Sequence, residues 1–244
     1  VEAVYHLAAV ASVQASVDDP FGTHATNLVG TLNLLEAARR NGVRRIVYAS
    51  SAAVYGDTIE LPVREEAAPR PLSPYAADKL AGEHYLLFYA REYGLAATAF
   101  RFFNIYGPRQ DPSSPYSGVI SIFVERARTG EPVTIFGDGE QTRDFVYVAD
   151  LVEVLYRALD HAGTDGQVLN VGGGRECSLL DILAELERLC GGPIERRHEL
   201  PRIGDIRRSC ADITRLVALL GYRPQTLLGT GLERLLAYGH RPVP

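Results

Sequence analysis

The sequence predicts an α/β fold built on a parallel, doubly wound sheet, and two observations carry this prediction. Hydrophobic strands alternate with amphipathic helices along the first part of the chain, and the joints between them are short. This pattern is typical of a parallel sheet with helices on both faces. Such sheets bind ligands beyond the carboxyl ends of their strands. The residues that follow the strands are therefore the first candidates for a functional site.

Each element of this pattern has a local signal. The predicted strands are the short apolar runs Val4 to Leu7, Arg45 to Ala49 and Ala96 to Phe102. A helix is predicted over Asn27 to Arg40, because apolar residues recur there at helical spacing and Asn41-Gly42 ends it. A longer helix is predicted over Pro74 to Tyr93, with Ser73 as its N-cap and Gly94 as its stop.

From Asn104 onward, loops rich in proline and glycine interrupt the pattern, which indicates a second, smaller lobe. The remaining predicted elements are strands at Val133 to Phe136 and Gln167 to Val171, and helices at Val119 to Thr129, Asp150 to His161, Ser178 to Leu189, Asp212 to Leu220 and Gly229 to Tyr238. The strand at Gln167 to Val171 is expected to rejoin the main sheet. The predicted domains are 1–104 with about 145–173, and 105–144 with about 174–244, the second a mixed α/β domain.

Composition excludes several classes of function. The formal charge of -5 argues against a nucleic-acid partner, because phosphate recognition needs a surplus of Lys and Arg. The 3 cysteines lack C-x-x-C spacing and the 6 histidines are scattered, so we expect no disulfide framework and no metal. No apolar run is long enough to span a membrane. We therefore expect a cytoplasmic protein.

Tyr75 and Lys79 form the sharpest chemical signal. They stand four positions apart on the long predicted helix, so their side chains lie on one helical face. A neighbouring ammonium lowers the pKa of a tyrosine, and a phenol with a lowered pKa can act as a base. An isolated Y-x-x-x-K pattern is common, and alone it indicates a surface tyrosine packed on a lysine.

The strand before this helix ends in Ser50 and Ser51, followed by Ala-Ala-Val-Tyr-Gly56. A serine hydroxyl at the carboxyl end of a parallel strand is placed to relay a proton. We interpret Ser51 as the candidate and Ser50 as a turn or cap residue.

In this order, Ser51, Tyr75 and Lys79 resemble the catalytic triad of the extended short-chain dehydrogenase/reductases, the NAD-dependent epimerase/dehydratase family. This resemblance implies a Rossmann domain that binds NAD. His6-Leu-Ala-Ala9 is similar to the family's fourth-strand motif. The resemblance implies that NAD contacts Tyr75, Lys79 and five further residues: Leu7, Ala8, Ala9, Asn27 and Phe103.

The same resemblance implies a UDP-sugar site in the second lobe. Asn104, Arg143, Arg202 and Asp205 match family residues that contact the sugar diphosphate or a ribose, and Ser209 matches a residue beside C2 of the sugar. Ile203 replaces the proline that is usual between the last arginine and aspartate. The other expected substrate contacts, besides Ser51, are Gly118, Val119, Thr134 and Phe136.

Two glycine features bear on the cofactor. Gly172-Gly-Gly174 follows a predicted strand but is not a dinucleotide loop, because Cys177 stands where the third glycine belongs. The family carries its glycine-rich loop before the His6-Leu-Ala-Ala9 motif, and the chain begins at Val1, only three residues before its first predicted strand, Val4 to Leu7. We therefore expect an incomplete Rossmann domain whose first strands lie outside this sequence.

Among the family's reactions, the residues favour 4-epimerisation of a UDP-hexose. Related 4,6-dehydratases carry an Asp-Glu pair where this chain has Ala52 and Ala53, so elimination of water lacks its acid. UDP-glucose and UDP-galactose are the expected substrates, with the N-acetyl forms permitted by Ser209. A UDP-glucuronate 4-epimerase or decarboxylase, and an inactive nucleotide-sugar-binding module, stay open as alternatives. Many relatives form homodimers through the two long helices, so a homodimer is compatible with the resemblance.

Overall fold

The computed structural model describes residues 1–112, 114, 118–201 and 206–238. Its strands are β1 (Ala3–His6), β2 (Arg45–Ser51), β3 (Ala96–Phe102), β4 (Asn104–Tyr106), β5 (Val133–Phe136), β6 (Thr142–Arg143), β7 (Phe145–Tyr147), β8 (Gln167–Val171), β9 (Cys177–Ser178) and β10 (Arg196–Glu199). Its helices are α1 (Val13–Asp18), α2 (Pro20–His24), α3 (Gly30–Arg40), α4 (Pro74–Tyr93), α5 (Val119–Thr129), α6 (Val148–Asp160), α7 (Leu179–Cys190), α8 (Thr214–Leu220) and α9 (Leu228–Tyr238). A π-helical turn covers Ala25–Val29, and 3-10 turns cover Ala52–Tyr55 and Ala162–Thr164.

The main sheet is parallel and has the strand order β1-β2-β3-β8. Strand β8 joins beside β3 and pairs Phe102 with Val171, which confirms the expectation that this late strand returns to the sheet. The α/β fold class predicted from the sequence is confirmed.

The chain divides into two compact units, and this division differs from the predicted domains by more than two residues at two places. Unit 1 comprises Val1–Phe102, Val152–Val171 and Asp212–Arg223, whereas unit 2 comprises Phe103–Leu151, Gly172–Ala211 and Pro224–Pro244. Residues 145–151 belong to unit 2 because β7 pairs in parallel with β4. Residues 212–223 belong to unit 1 because α8 packs on β8. The assignment of NAD to one unit and of the sugar to the other stays a prediction.

In unit 1, helix α4 packs closely on the sheet because it carries a glycine where it crosses Tyr48. A Cβ added to Gly82 would lie 2.3 Å from the Tyr48 hydroxyl oxygen. Tyr48 is buried with Leu35, Ile46 and Leu86 in the core beneath this helix. The close approach fixes the height of α4 above β2, and with it the helical face that carries Tyr75 and Lys79.

Unit 2 contains three small two-stranded sheets: β10 with β5, β4 with β7, and β6 with β9, as far as the described residues show. Its core joins strand β5 to helices α5, α7 and α9 through Ile135, Phe123, Leu183 and Leu232. Along β5, Val133 and Ile135 are buried while Thr134 and Phe136 are half-buried. This alternation turns the second pair away from the core.

Within the described ranges, no helix is both long and apolar enough to cross a bilayer. The same ranges hold no group of three or more His, Cys, Asp or Glu side chains that could bind a metal ion. Cys177, Cys190 and Cys210 are free thiols.

Candidate active site

Ser51, Tyr75 and Lys79 lie together where β2 ends and α4 begins. Ser51 ends β2, and its hydroxyl accepts a hydrogen bond from the Ala53 N–H at 3.2 Å. Tyr75 is in the first turn of α4 and Lys79 is one turn later on the same face. The Ser51 hydroxyl is near enough to the Tyr75 phenol to act on its pKa as a hydrogen-bonding neighbour. The structure therefore brings the three predicted catalytic side chains to one strand end.

Lys79 is almost fully buried, with 3% of its surface exposed. Its ammonium donates a hydrogen bond to the Ala49 carbonyl at 2.7 Å, and Nζ lies 5.9 Å from the centroid of the Tyr75 ring. Burial lowers the pKa of Lys79 to about 8. The ammonium is therefore charged at neutral pH and loses its charge in mildly alkaline solution.

Burial also sets the pKa of Tyr75, which is raised above its ordinary value, although the hydrogen bond with Ser51 acts in the opposite direction. Lys79 is not among the causes of this shift, so the expected lowering of the Tyr75 pKa by the lysine is not found. The reason is that Lys79 directs its Nζ at the Ala49 carbonyl, so the phenol gains no direct bond from it. A Tyr75 base working near neutral pH needs additional positive charge beside the ring.

The neighbouring Ser50 belongs to a different set of contacts. Its hydroxyl donates a hydrogen bond to the Glu83 carboxylate. Glu83 also receives two hydrogen bonds from Arg101, from Nε to Oε1 at 3.0 Å and from Nη2 to Oε2 at 2.8 Å. All three side chains are buried. This network, which the sequence did not predict, ties β2, α4 and β3 together directly beside Ser51.

The residues predicted to lie along the cofactor follow β1. Leu7 and Ala8 are exposed and Ala9 is half-buried, directly after the carboxyl end of the strand. Asn27 is buried in the π-helical turn and binds the backbone of Val10 twice, as acceptor at 2.8 Å and as donor at 3.0 Å. Asn27 therefore fixes the course of the chain after β1, a contact that the sequence pattern alone did not reveal.

His6, at the end of β1, is a further buried polar side chain of this region. Its Nε2 forms a hydrogen bond of 2.8 Å with the Thr31 hydroxyl. Burial, and next the Lys79 ammonium, lower the pKa of His6. This shift favours the neutral form of the imidazole beside the lysine.

The donors of this cluster suit a nicotinamide nucleotide. An ammonium has three N–H donors. The described residues offer Lys79 one hydrogen-bond acceptor, the Ala49 carbonyl, which leaves donors for ribose hydroxyls. Ser51 and Tyr75 add two hydroxyls at the same strand end. These residues therefore fit NAD.

In unit 2, five of the predicted substrate residues line one pocket of about 350 Å3. They are Asn104, Val119, Thr134, Phe136 and Arg143. The pocket is also lined by Ile122, Phe123, Arg126, Gln141 and Leu179, which the sequence analysis did not single out. The spacing of Val119, Ile122, Phe123 and Arg126 on one face of α5 is the signal that was available for most of them.

Arg143 is held firmly in this pocket. Its Nη1 donates hydrogen bonds to the Thr142 carbonyl at 2.7 Å and to the Ile206 carbonyl at 2.6 Å. Asn104, which begins β4, is exposed and pairs with Phe145 in the β4–β7 ladder. A fixed guanidinium beside amide and hydroxyl groups is suited to an anionic ligand with polar substituents.

The other predicted residues take varied places. Phe103 is buried and begins unit 2. Gly118 stands at the N-cap position of α5, and Ser209 is half-buried in the segment before Cys210. Arg202 and Asp205 lie outside the described residues. Their functional roles stay predictions.

A parallel sheet whose strand end carries a serine, a tyrosine and a lysine is the arrangement expected of the short-chain dehydrogenase/reductase class. A model of the NAD dependent epimerase/dehydratase family matches residues 1–172. The chain belongs to this family.

Three relatives with named activities are similar to nearly the whole of this chain. The UDP-glucose 4-epimerase of Mycolicibacterium smegmatis is 44% identical over 238 residues, which cover 97% of this chain and 75% of that protein. The structure of Thermotoga maritima UDP-glucose 4-epimerase with UDP-glucose has a TM-score of 0.94 and 41% identity, and the match covers 98% of this chain and 77% of that one. A UDP-N-acetylglucosamine 4-epimerase from Methanobrevibacter ruminantium, in complex with UDP-N-acetylmuramic acid, has a TM-score of 0.94 and 34% identity over 98% of this chain and 76% of that one.

Proposed function

We propose that the product of the gene encoding this chain is an NAD-dependent UDP-hexose 4-epimerase, which interconverts UDP-glucose and UDP-galactose. The observation that carries the proposal is the cluster of Ser51, Tyr75 and Lys79 at the end of β2, in a chain of the epimerase/dehydratase family. The epimerases described above support the same reaction, because each of them is similar to nearly the whole of this chain.

In the proposed mechanism, Tyr75 takes the proton of the C4 hydroxyl and Ser51 hydrogen-bonds the C4 oxygen. NAD, when bound, supplies the acceptor and then the donor of the C4 hydride. Lys79 holds the nicotinamide ribose. Because burial raises the pKa of Tyr75, the phenolate depends on the combined positive charge of Lys79 and the oxidised cofactor. The 4-keto sugar rotates in the site, and Tyr75 returns the proton.

The turn after Ser51 supports epimerisation over elimination of water. Residues Ala52–Tyr55 form a 3-10 turn whose first two side chains are methyl groups. An elimination would need an acid and a base at this place. Neither alanine can supply one.

The pocket of unit 2 is the proposed binding site for the UDP portion. Its wall combines apolar Val119 and Phe136 with polar Thr134, and such a wall suits a pyrimidine nucleoside. Arg143 is the proposed ligand of the diphosphate, because a guanidinium binds phosphate oxygens in pairs. Arg202, as second phosphate ligand, and Asp205, as ribose ligand, complete the proposal.

Ser209 is the proposed determinant of tolerance for an N-acetyl group at C2. We expect Ser209→Tyr to lower kcat/KM for UDP-N-acetylglucosamine about tenfold to a hundredfold, because the larger ring takes the space of the acetamide. UDP-glucose turnover should change little. The measurement is kcat/KM for both sugars, with Ser209→Ala as the control that keeps the space open. An unchanged ratio of the two activities in Ser209→Tyr would contradict the assignment.

The same proposal extends to assembly and location. Exposed Tyr85, Phe88 and Tyr93 on α4 support a homodimer formed through the long helices. The three free thiols support a reducing cytoplasm. Interconversion of glucose and galactose nucleotides would place the protein in galactose metabolism.

The test of the function is direct. The gene's product is incubated with UDP-glucose, UDP-N-acetylglucosamine or UDP-glucuronate, and proton NMR follows the anomeric signals of the C4 epimers. Epimerisation of a UDP-hexose is the expected result. Exclusive turnover of UDP-glucuronate would replace the hexose by a uronate, and failure with all three sugars despite bound NAD would overturn the proposal.

A further inference from the structure

Gly172-Gly-Gly174, which is not a dinucleotide loop, surrounds a carboxylate of the chain itself. Asp144 is fully buried, and its Oδ1 accepts a hydrogen bond from the Gly173 N–H at 2.5 Å while its Oδ2 accepts from the Gly174 N–H at 3.0 Å. A Cβ on Gly172 would lie 2.8 Å from Oδ2. Glycine is therefore required here so that the loop can close around the carboxylate, as backbone nests close around anions.

The same carboxylate also holds a distant segment. Oδ2 of Asp144 accepts a hydrogen bond from the Ala211 N–H at 2.9 Å. Ala211 ends the stretch 206–211, which we call the strap. Asp144 thus joins the strap to the loop after β8 through one buried group.

The strap is bound along its length to the residues just before Asp144. The Thr142 N–H donates to the Arg207 carbonyl at 3.0 Å. On the surface, Arg208 forms two hydrogen bonds to Glu176, at 2.9 and 2.5 Å. The strap therefore follows the β6 strand, with Asp144 as its buried attachment and Glu176 as a half-buried one.

Arg143 depends on this strap for its direction. One of the two carbonyl oxygens that receive its Nη1 belongs to Ile206, at the beginning of the strap. The other belongs to Thr142, directly before it in the chain. The strap therefore provides one of the contacts that direct the guanidinium in the pocket.

We propose that Asp144 is a positioning residue of the nucleotide-sugar site, which sets the pose of Arg143 by anchoring the strap 206–211 to the loop Gly172–Gly174. The inference rests on the proposed function in so far as the pocket of unit 2 binds the diphosphate. Asp144 itself touches no ligand in this scheme. Its effect reaches the phosphate through the Ala211 N–H, the Ile206 carbonyl and Arg143.

The experiment compares UDP with uridine, which lacks the phosphates. We expect Asp144→Asn to weaken UDP binding about tenfold. The NH2 group of asparagine cannot accept a hydrogen bond, so one of the backbone N–H groups that donate to the carboxylate would lose its acceptor. Uridine binding should change less than about twofold. In an Arg143→Ala background, Asp144→Asn should cause no further loss of UDP affinity, because residues that act in series are not additive. Isothermal titration calorimetry measures all of these affinities.

The control is Asp150→Asn, which alters another buried aspartate of unit 2, one whose carboxylate accepts a hydrogen bond from the Thr226 N–H. UDP affinity should persist in it. Equal losses for UDP and uridine in Asp144→Asn, or additivity with Arg143→Ala, would overturn the inference. Absence of UDP binding by the unaltered protein would instead count against the proposed function.

A second variant keeps the inference testable if Asp144→Asn does not fold, as judged by circular dichroism. Glu176→Gln changes the half-buried attachment, where Glu176 accepts hydrogen bonds from Arg208 and from the Thr142 hydroxyl, and leaves Asp144 unaltered. We expect a loss of UDP affinity of about twofold to fivefold with uridine affinity retained. Unaltered UDP affinity in this variant would contradict the role of the strap.

Discussion

Tyr75→Phe should lower kcat for epimerisation by about two to four orders of magnitude, the range that a positioned general base and acid contributes. The phenol is the group that takes the C4 proton, and phenylalanine keeps the ring while removing the oxygen. The Ser51 hydroxyl beside the phenol cannot take over as base, because an alcohol has no suitable pKa without an activating partner. Initial rates with UDP-glucose check this expectation.

The controls for Tyr75→Phe separate chemistry from binding. UDP affinity should stay within about twofold of the unaltered protein, because the phenol acts in the chemical step and not in nucleotide binding. Tyr85→Phe is the matched variant: it lies on the same helix and is 42% exposed. It should keep full activity. Retention of more than about a tenth of the activity by Tyr75→Phe would remove the tyrosine from its role as base.

The two ends of helix α4 could be predicted from local sequence signals. Its observed bounds, Pro74–Tyr93, are those predicted, since the Ser73 hydroxyl accepts a hydrogen bond from the Ala76 N–H and Gly94 adopts the left-handed conformation. Both end signals are properties of single residues and their immediate neighbours. The proximity of Ser51 to Tyr75 could likewise be anticipated, because a strand end and the start of the next helix meet at the same edge of a parallel sheet.

Other elements lack such signals. Strand β10 is exposed at all four residues, Arg196–Glu199, so its sequence shows no alternation, and its pairing with β5 fixes it. The predicted helix from Asn27 begins inside the π-helical turn Ala25–Val29, and α1 and α2 precede that turn. Each of these is shorter than two turns, and short helices depend on tertiary packing more than on propensity. Sequence periodicity could not have identified them.

Some features of the candidate site could likewise be predicted from the sequence, and others could not. The pocket residues Thr134 and Phe136 follow from the alternation along β5. The attachment of Asn27 to Val10 and of Asp144 to Ala211 connects residues that no spacing rule links. Such contacts form only when the chain folds and brings distant residues together.

The largest effect on stability is expected from Arg101→Met. Glu83 and Arg101 form a buried pair with 3% and 6% of their side chains exposed. Removing one partner leaves a buried carboxylate unpaired, which costs about 3–5 kcal/mol of the free energy of unfolding. Ser50 continues to donate one hydrogen bond to Glu83, but a hydroxyl cannot replace a guanidinium that donates two. Urea unfolding, followed by far-UV circular dichroism, measures the loss.

The double variant Arg101→Met with Glu83→Leu distinguishes the cost of an unpaired charge from the loss of packing. Replacing both members of a buried pair by apolar groups is often neutral, so the double variant should recover most of the loss, to within about 1–2 kcal/mol of the unaltered protein. Arg91→Met, at an arginine whose side chain is 75% exposed, should change stability by less than about 0.5 kcal/mol. If the double variant were as unstable as Arg101→Met alone, the guanidinium would stabilise through its stacking on Tyr55, where Cζ lies 4.7 Å from the ring centroid, more than through Glu83. The expected recovery would show that the network holds β2 and α4 together through charge balance, and that apolar contact can replace it without displacing Ser51 from Tyr75.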